Sequence, residues 1–305
     1  MEKLQKVKTN LYKYRMNVPL AAFLWLSSLA SFAQYSVIME SETMKSIVLD
    51  QEIRYSVYLP PGYEVSTRKY PVLYLLHGFG DDETRWIQRG NVQEIADQAI
   101  ESGSAVPMII VMPDAQKSWY LNSEVLEFRY EDFFVQEFIP FIEGKYKCRT
   151  AREHRAISGL SMGGHGTIMF AAKYPDLFSS AAPLSAAIWT EERLTKLGQK
   201  TWDSFFERVT ESKAGDKRIN EFTKENFGFF LMSSTPTDEL KTVRWYIDCG
   251  DGDSFIFGNM SLHELMKDKH IPHEFRVRDG GHNWSYWRNS LPYVLQFVSD
   301  GFMKN

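Results

Sequence analysis

Cysteine is scarce: Cys148 and Cys249 are the only two in 305 residues. One pair in a chain this large is no disulfide framework, so both read as buried thiols. Charge of one sign is never massed. The net charge of −4 is spread along the chain, with no basic block for nucleic acid and no acidic solvating tail. No P-loop and no dinucleotide fingerprint occurs. "HELMK", from His263, lacks the second histidine of a zinc-protease helix, because Lys267 stands there. "DCGDGDSFIFGN" has carboxylates without the spacing or closing glutamate of a calcium loop. No metal and no cofactor is therefore expected. Internal repeats and low-complexity linkers are also missing.

What is present suits a globular chain with ample core: 44% hydrophobic and 24% charged residues. Aromatics reach 14%, with eight tryptophans. Most should build core, although such rings also suit a site that grips sugars or phenolic groups. At the N-terminus, Lys3, Lys6, Lys8, Lys13 and Arg15 precede the apolar run "VPLAAFLWLSSLASFA". Ser31 and Ala33 occupy the small-residue positions of a signal-peptidase site, which predicts a signal peptide over 1–33 and an exported mature chain. The run is short for a membrane span and broken by serines, so no stable span is expected after cleavage.

The remainder, 34–305, reads as a single domain of alternating strands and helices. "EIRYSVYLPPGY" is a strand closed by a turn, and "YPVLYLLHG" and "PMIIVMP" are strands buried on both faces. "HRAISG", "FSSAAPLSAA", "TVRWYIDCG" and "HEFRVRDGG" supply further strands. "NVQEIADQAIESG", "EDFFVQEFIPFIEGKY" with a kink at Pro140, "GTIMFAAKYP", "NMSLHELMKDKH" and "NWSYWRNSLPYVLQFVSDGF" are the helices. This alternation predicts a mostly parallel sheet with helices on both faces. Residues 188–240 are charged, rich in Phe and Trp, and lack a buried strand. They read as a helical insertion, either a lid beside the site or a structural elaboration.

The stretch "AISGLSMGGHG" carries the chemistry. Gly159-Leu160-Ser161-Met162-Gly163 matches G-x-S-x-G, with a strand before it and a helix after it, the context of a nucleophile elbow. The glycines keep a sharp turn free of side-chain clashes, and the helix N-terminus favours negative charge beside Ser161. A serine hydroxyl needs a base. His270 and His273 flank the start of a strand, whereas His282 follows one, where catalytic groups of a parallel sheet gather. The acid that orients the imidazole should end the preceding strand, where Asp248, Asp251 and Asp253 compete and Asp253 is placed to reach back. In "LLHGFGDDE", the amide of Phe79, with Gly80 as the alternative, pairs with that of Met162 as the expected oxyanion donors. His77 reads as a brace for that loop.

These segments together resemble the esterase D-type branch of the α/β-hydrolases, which includes feruloyl and acetyl-xylan carbohydrate esterases. The resemblance runs from "RYSVYLPPGYE" through "YPVLYLLHGFGDDETRW", "FFVQEFIPFIE", "RAISGLSMGGHG" and "YIDCGDGDSF" to "GGHNWSYWRNSLPYVLQFV". It implies an α/β-hydrolase fold, Asp253 as the acid and His282 as the base. It also implies carboxylic esters of sugars or cell-wall polymers as substrates, with Trp86, Trp119, Asn122 and Trp284 near the substrate and Trp287 in the core. The leading expectation is a secreted serine esterase acting on acyl or feruloyl groups of plant polysaccharide. Acyl transfer to a sugar acceptor, an inactive binding module and a peptidase are the other readings.

Overall fold

The computed structural model describes residues 35–303. The expected signal peptide lies outside them. At the centre of the sheet is "VLYLL", strand β3 (Val72–Leu76), every residue of which is buried. Its side chains alternate between two hydrophobic layers. Val72, Tyr74 and Leu76 face one layer, and Leu73 and Leu75 face the other. A strand covered on both faces has no use for polar alternation, which is why β3, β4 (Ile109–Pro113) and β6 (Ser180–Leu184) read as short continuous runs.

The sheet has eight strands, in the order β1-β2-β4-β3-β5-β6-β7-β8. β1 (Val37–Ser46) and β2 (Gln51–Leu59) are antiparallel to each other, and β2 is antiparallel to β4. From β4 across β3, β5 (Arg155–Leu160), β6, β7 (Arg244–Gly250) and β8 (His273–Arg278), every pairing is parallel. The chain builds outward from β3 in both directions, first to β4 and then to β5. That reversal opens a crevice at the carboxyl ends of β3 and β5, where ligands of such sheets collect.

The helices Val92–Glu101 and Trp284–Met303 cover one face. The stretch Tyr130–Lys145 and the helices Met162–Lys173 and Ile256–Asp268 cover the other. No helix among the described residues is long and apolar enough to cross a membrane. The expected kink at Pro140 is instead a π-helical segment, Phe133–Phe138, just before the proline. The Ile139 amide donates five residues back, to the Phe134 carbonyl. Proline has no amide hydrogen for the next bond, and a widened turn accommodates its ring. Cys148 and Cys249 are both buried and unpaired, and burial pushes the Cys148 thiol up to about 12.

Between β6 and β7, five short α-helices and one 3-10 helix lie within residues 191–240. Phe206 joins them to the body. Its ring lies 5.0 Å from that of Phe227 and 5.0 Å from that of Trp119. The region is helical, as its sequence suggests, and it buries Trp202, Phe206 and Phe227 in the same hydrophobic layer as the sheet.

Candidate active site

Four strand ends meet at the crevice: β3 leads to Gly78, β5 to Ser161, β7 to Asp253 and β8 to His282. Ser161 has φ 56° and ψ −115°, a left-handed conformation that L-residues adopt at a cost of order 1–3 kcal/mol. Its backbone is held on two sides. The Ser161 amide donates to the Leu184 carbonyl at 3.0 Å, and the Ala187 amide donates to the Ser161 carbonyl at 3.0 Å. Such a turn needs glycine where chains cross. A Cβ on Gly163 would sit 2.6 Å from the Leu76 carbonyl oxygen.

His282 reaches this serine from a loop that also depends on close approach. A Cβ on Gly250 would lie 2.2 Å from the Gly280 oxygen, so the β7 and β8 loops touch backbone to backbone. The imidazole Nε2 is 2.9 Å from the Ser161 hydroxyl. Its Nδ1 is 2.9 Å and 3.1 Å from the two carboxylate oxygens of Asp253. A carboxylate only accepts, so Nδ1 carries the hydrogen and Nε2 is free to accept from serine. Asp253 is buried, which by itself raises its carboxyl. Hydrogen bonds from His282 and from the Phe255 amide, at 2.8 Å, outweigh burial and hold the group below the ordinary carboxylate range.

The competing acids have other duties. Asp251 accepts from the Gly280 amide at 3.1 Å and ties the two loops together. Asp248, fully buried, is enclosed by Tyr246, Tyr286, Ser290 and Arg278. His273 bonds to His263 at 2.7 Å at the far end of the sheet. His77 braces its loop: its Nδ1 donates to the Gly78 carbonyl at 2.8 Å, and its Nε2 accepts from the Ala115 amide at 2.9 Å. The Gly78–Phe79 turn runs beside the serine, since a Cβ on Gly78 would lie 3.6 Å from the Ser161 Cβ. Phe79 follows that turn, and Met162 opens the helix after Ser161. An oxygen between their amides would meet two donors and a helix N-terminus.

Two clefts share Phe79, Ser161 and His282. The larger, about 870 Å³, is walled by Trp119, Trp189, Phe205 and Phe255, with Glu192, Arg193 and Lys196 also lining it. The smaller, about 550 Å³, lies toward Trp284. Trp119 lines the larger cleft and Trp284 the smaller, each beside Ser161. Trp86 and Asn122 require correction. Trp86 is 1% exposed and donates its indole hydrogen to the Leu76 carbonyl at 3.0 Å, which makes it a prop beneath the site. Asn122 accepts from the Asp132 amide at 3.2 Å and lines neither cleft. Sequence reasoning missed Phe255 as a wall of the larger cleft. It also placed Trp287 in the core, where it is indeed 95% buried, yet its ring meets the imidazole. The signal available was their position two residues after Asp253 and five after His282.

Known proteins resemble this chain in sequence and in fold. The family model described as "Putative esterase" matches residues 46–298. An esterase of Mycobacterium tuberculosis is 31% identical over 251 residues, 74% of this chain. This chain spans about half, 52%, of that relative's length. The structure of a ferulic acid esterase is 33% identical with a TM-score of 0.77, covering 88% of this chain and 99% of that one. An S-formylglutathione hydrolase of Staphylococcus aureus, 21% identical, shares the fold at a TM-score of 0.71 over 87% of this chain and 99% of its own. With a serine presented on a strained turn and a hydrogen-bonded imidazole and carboxylate behind it, the chain belongs to this esterase family and has its α/β-hydrolase fold.

Proposed function

We propose that Ser161, His282 and Asp253 form the catalytic triad of an exported esterase that releases hydroxycinnamoyl acids of the feruloyl type from plant polysaccharide. In this reading His282 Nε2 takes the Ser161 proton as the oxygen attacks the ester carbonyl. The Phe79 and Met162 amides receive the developing oxyanion. The imidazolium then protonates the departing alcohol, leaving an acyl-serine. Water, activated by the same imidazole, cleaves the acyl-serine and restores the hydroxyl. Asp253 keeps the imidazole tautomer and stabilises its charged form.

One observation carries the substrate choice: the larger cleft beside Ser161 has five aromatic walls, Phe79, Trp119, Trp189, Phe205 and Phe255. An acetyl group would leave most of about 870 Å³ empty, whereas a planar phenolic ring has faces and edges to meet. The 33% identity to a ferulic acid esterase supports the same reading. Export rests on the charged and apolar N-terminal pattern.

The test is hydrolysis of a panel of acetyl, butanoyl, cinnamoyl and feruloyl esters of one alcohol. A kcat/KM highest for the hydroxycinnamoyl esters is expected, and a maximum at acetyl would overturn the acyl assignment. N-terminal sequencing of protein recovered outside the cytoplasm should begin at Gln34. An intact Met1 there would remove the signal-peptide reading.

A further inference from the structure

We propose that the smaller cleft binds the alcohol half of the ester as a sugar, and that Asp81 is the residue that selects it. This rests on the polysaccharide-ester reading above and adds a site to it. The two halves of an ester must leave the attacked carbon in different directions. The two clefts meet at Ser161 and His282. With the aromatic cleft holding the acyl group, the other receives the group that His282 protonates.

The lining of the smaller cleft has the chemistry of a polyol site. Asp81 borders it. Its side chain is 24% exposed, and the contact its carboxylate makes with a cation is the ion pair to Arg85. The nearest cation, Arg85, is 3.7 Å away, an ion pair beyond good hydrogen-bond length. Burial raises the Asp81 carboxyl, against the opposing pull of Arg85. A part-buried carboxylate facing a cleft is strengthened by donors that reach it from a ligand. Sugar hydroxyls are such donors. The position is set by backbone, because the Asp81 amide donates to the Gly78 carbonyl at 3.1 Å. A Cβ built on Gly78 would lie 3.4 Å from an Asp81 carboxylate oxygen and 3.6 Å from the Ser161 Cβ. Acid and nucleophile therefore flank the same glycine.

Trp284 supplies the apolar counterpart. It lines the cleft and is only partly buried. Two perpendicular rings hold it: Trp86 at 5.3 Å and 86°, and Trp287 at 5.3 Å and 90°. An indole locked by edge contacts is a preorganised platform for the C–H face of a pyranose or furanose ring. Exposed Arg89 at the rim adds donors for hydroxyl oxygens. Carboxylate, guanidinium and indole line the same cleft as the serine.

The experiment compares two esters of the same acid, methyl ferulate and the feruloyl ester of a methyl pentoside, in wild type, Asp81→Asn, Asp81→Ala and Trp284→Leu. The readout is the ratio of kcat/KM for the sugar ester to that for the methyl ester. Wild type should favour the sugar ester. Loss of hydrogen bonds to a charged acceptor should lower the ratio roughly tenfold or more, mainly through KM. Asp81→Asn is nearly isosteric and carries the test should the alanine variant fail to fold. A ratio within twofold of wild type in both Asp81 variants overturns the assignment. An acetyl pair, methyl acetate against an acetylated methyl pentoside, separates the two layers of the argument. Failure of the feruloyl reading appears as slow turnover of both feruloyl esters while the acetyl pair still reports the ratio. A wild-type ratio near one in both pairs removes the sugar reading and this subsite with it.

Discussion

The indole of Trp287 stands edge-on to the imidazole of His282, with 5.0 Å between centroids and 89° between planes. Its own hydrogen donates to the Ser185 hydroxyl at 3.1 Å, and Phe255 flanks the imidazole at 5.3 Å. The imidazole is thus held by ring packing as well as by Asp253. Trp287→Phe keeps an aromatic edge and loses the Ser185 bond, which frees the ring to tilt. The expected result is a fall in kcat of about tenfold with KM nearly unchanged, because misplacement of a catalytic group acts in the transition state. A change confined to KM would mean that Trp287 acts on substrate instead.

Ser161→Ala should abolish ester hydrolysis, by several powers of ten in kcat. The Ser161 amide and carbonyl keep their bonds to Leu184 and Ala187, so the thermal midpoint should stay close to wild type. A folded variant that retained near-normal turnover would falsify the nucleophile assignment.

Asp253→Asn should cost about ten-thousandfold in kcat, the scale seen when the orienting carboxylate of a serine protease triad is amidated. Asp251→Asn should cost less than about tenfold, since the amide oxygen can still accept from Gly280. Steady-state kinetics of the two variants decide it, and reversal of their order would move the acid to Asp251.

Trp189 and Trp202 both belong to the helical region after β6, yet only Trp189 lines the larger cleft. Trp202 is 1% exposed and lies under the Arg218 guanidinium, 4.8 Å from its ring. Trp202→Leu should lower stability by about 2 kcal/mol or more and reduce activity on all esters in step. Trp189→Leu should lower kcat/KM for a feruloyl ester relative to an acetyl ester, with a smaller loss of melting temperature. Equal effects of Trp189→Leu on both esters would make the region scaffold rather than pocket wall.

His165, buried behind Ser161 between the rings of Trp119 and Phe227, has its imidazolium form disfavoured. Burial, with Lys173 adding, lowers it from 6.5 to about 3. Between those values the unfolded chain binds a proton that the folded chain refuses, so stability falls as pH falls from 6.5 toward 3. The slope is at most roughly 1.4 kcal/mol per pH unit for this group. Urea unfolding of wild type and His165→Leu at pH 7 and pH 4.5 should show a smaller acid loss in the variant. Identical losses would exclude His165 as a source of acid sensitivity.

Much of this protein is written locally. Runs such as "VLYLL" and "IIVMP" declare strands buried on both faces, because a strand so covered needs no polar residue. Ser161 and His282 are legible for a related reason: a sharp turn between strand and helix demands glycines at set positions, and a loop at a strand's carboxyl end faces the crevice. Edge strand β1 was not recognised, because one edge of it meets solvent and its pattern is mixed. The choice among Asp248, Asp251 and Asp253 could not follow from spacing alone. It depends on backbone contact between Gly250 and Gly280, two loops thirty positions apart. Trp86 and Trp284 look alike as letters near a motif. Only the fold sends one beneath β3 to bond the Leu76 carbonyl and leaves the other on the cleft wall. Chain chemistry declares which residues can react, since reactivity is a property of the side chain. Which of them meet is decided by packing, because proximity across the sheet depends on every strand and loop between them.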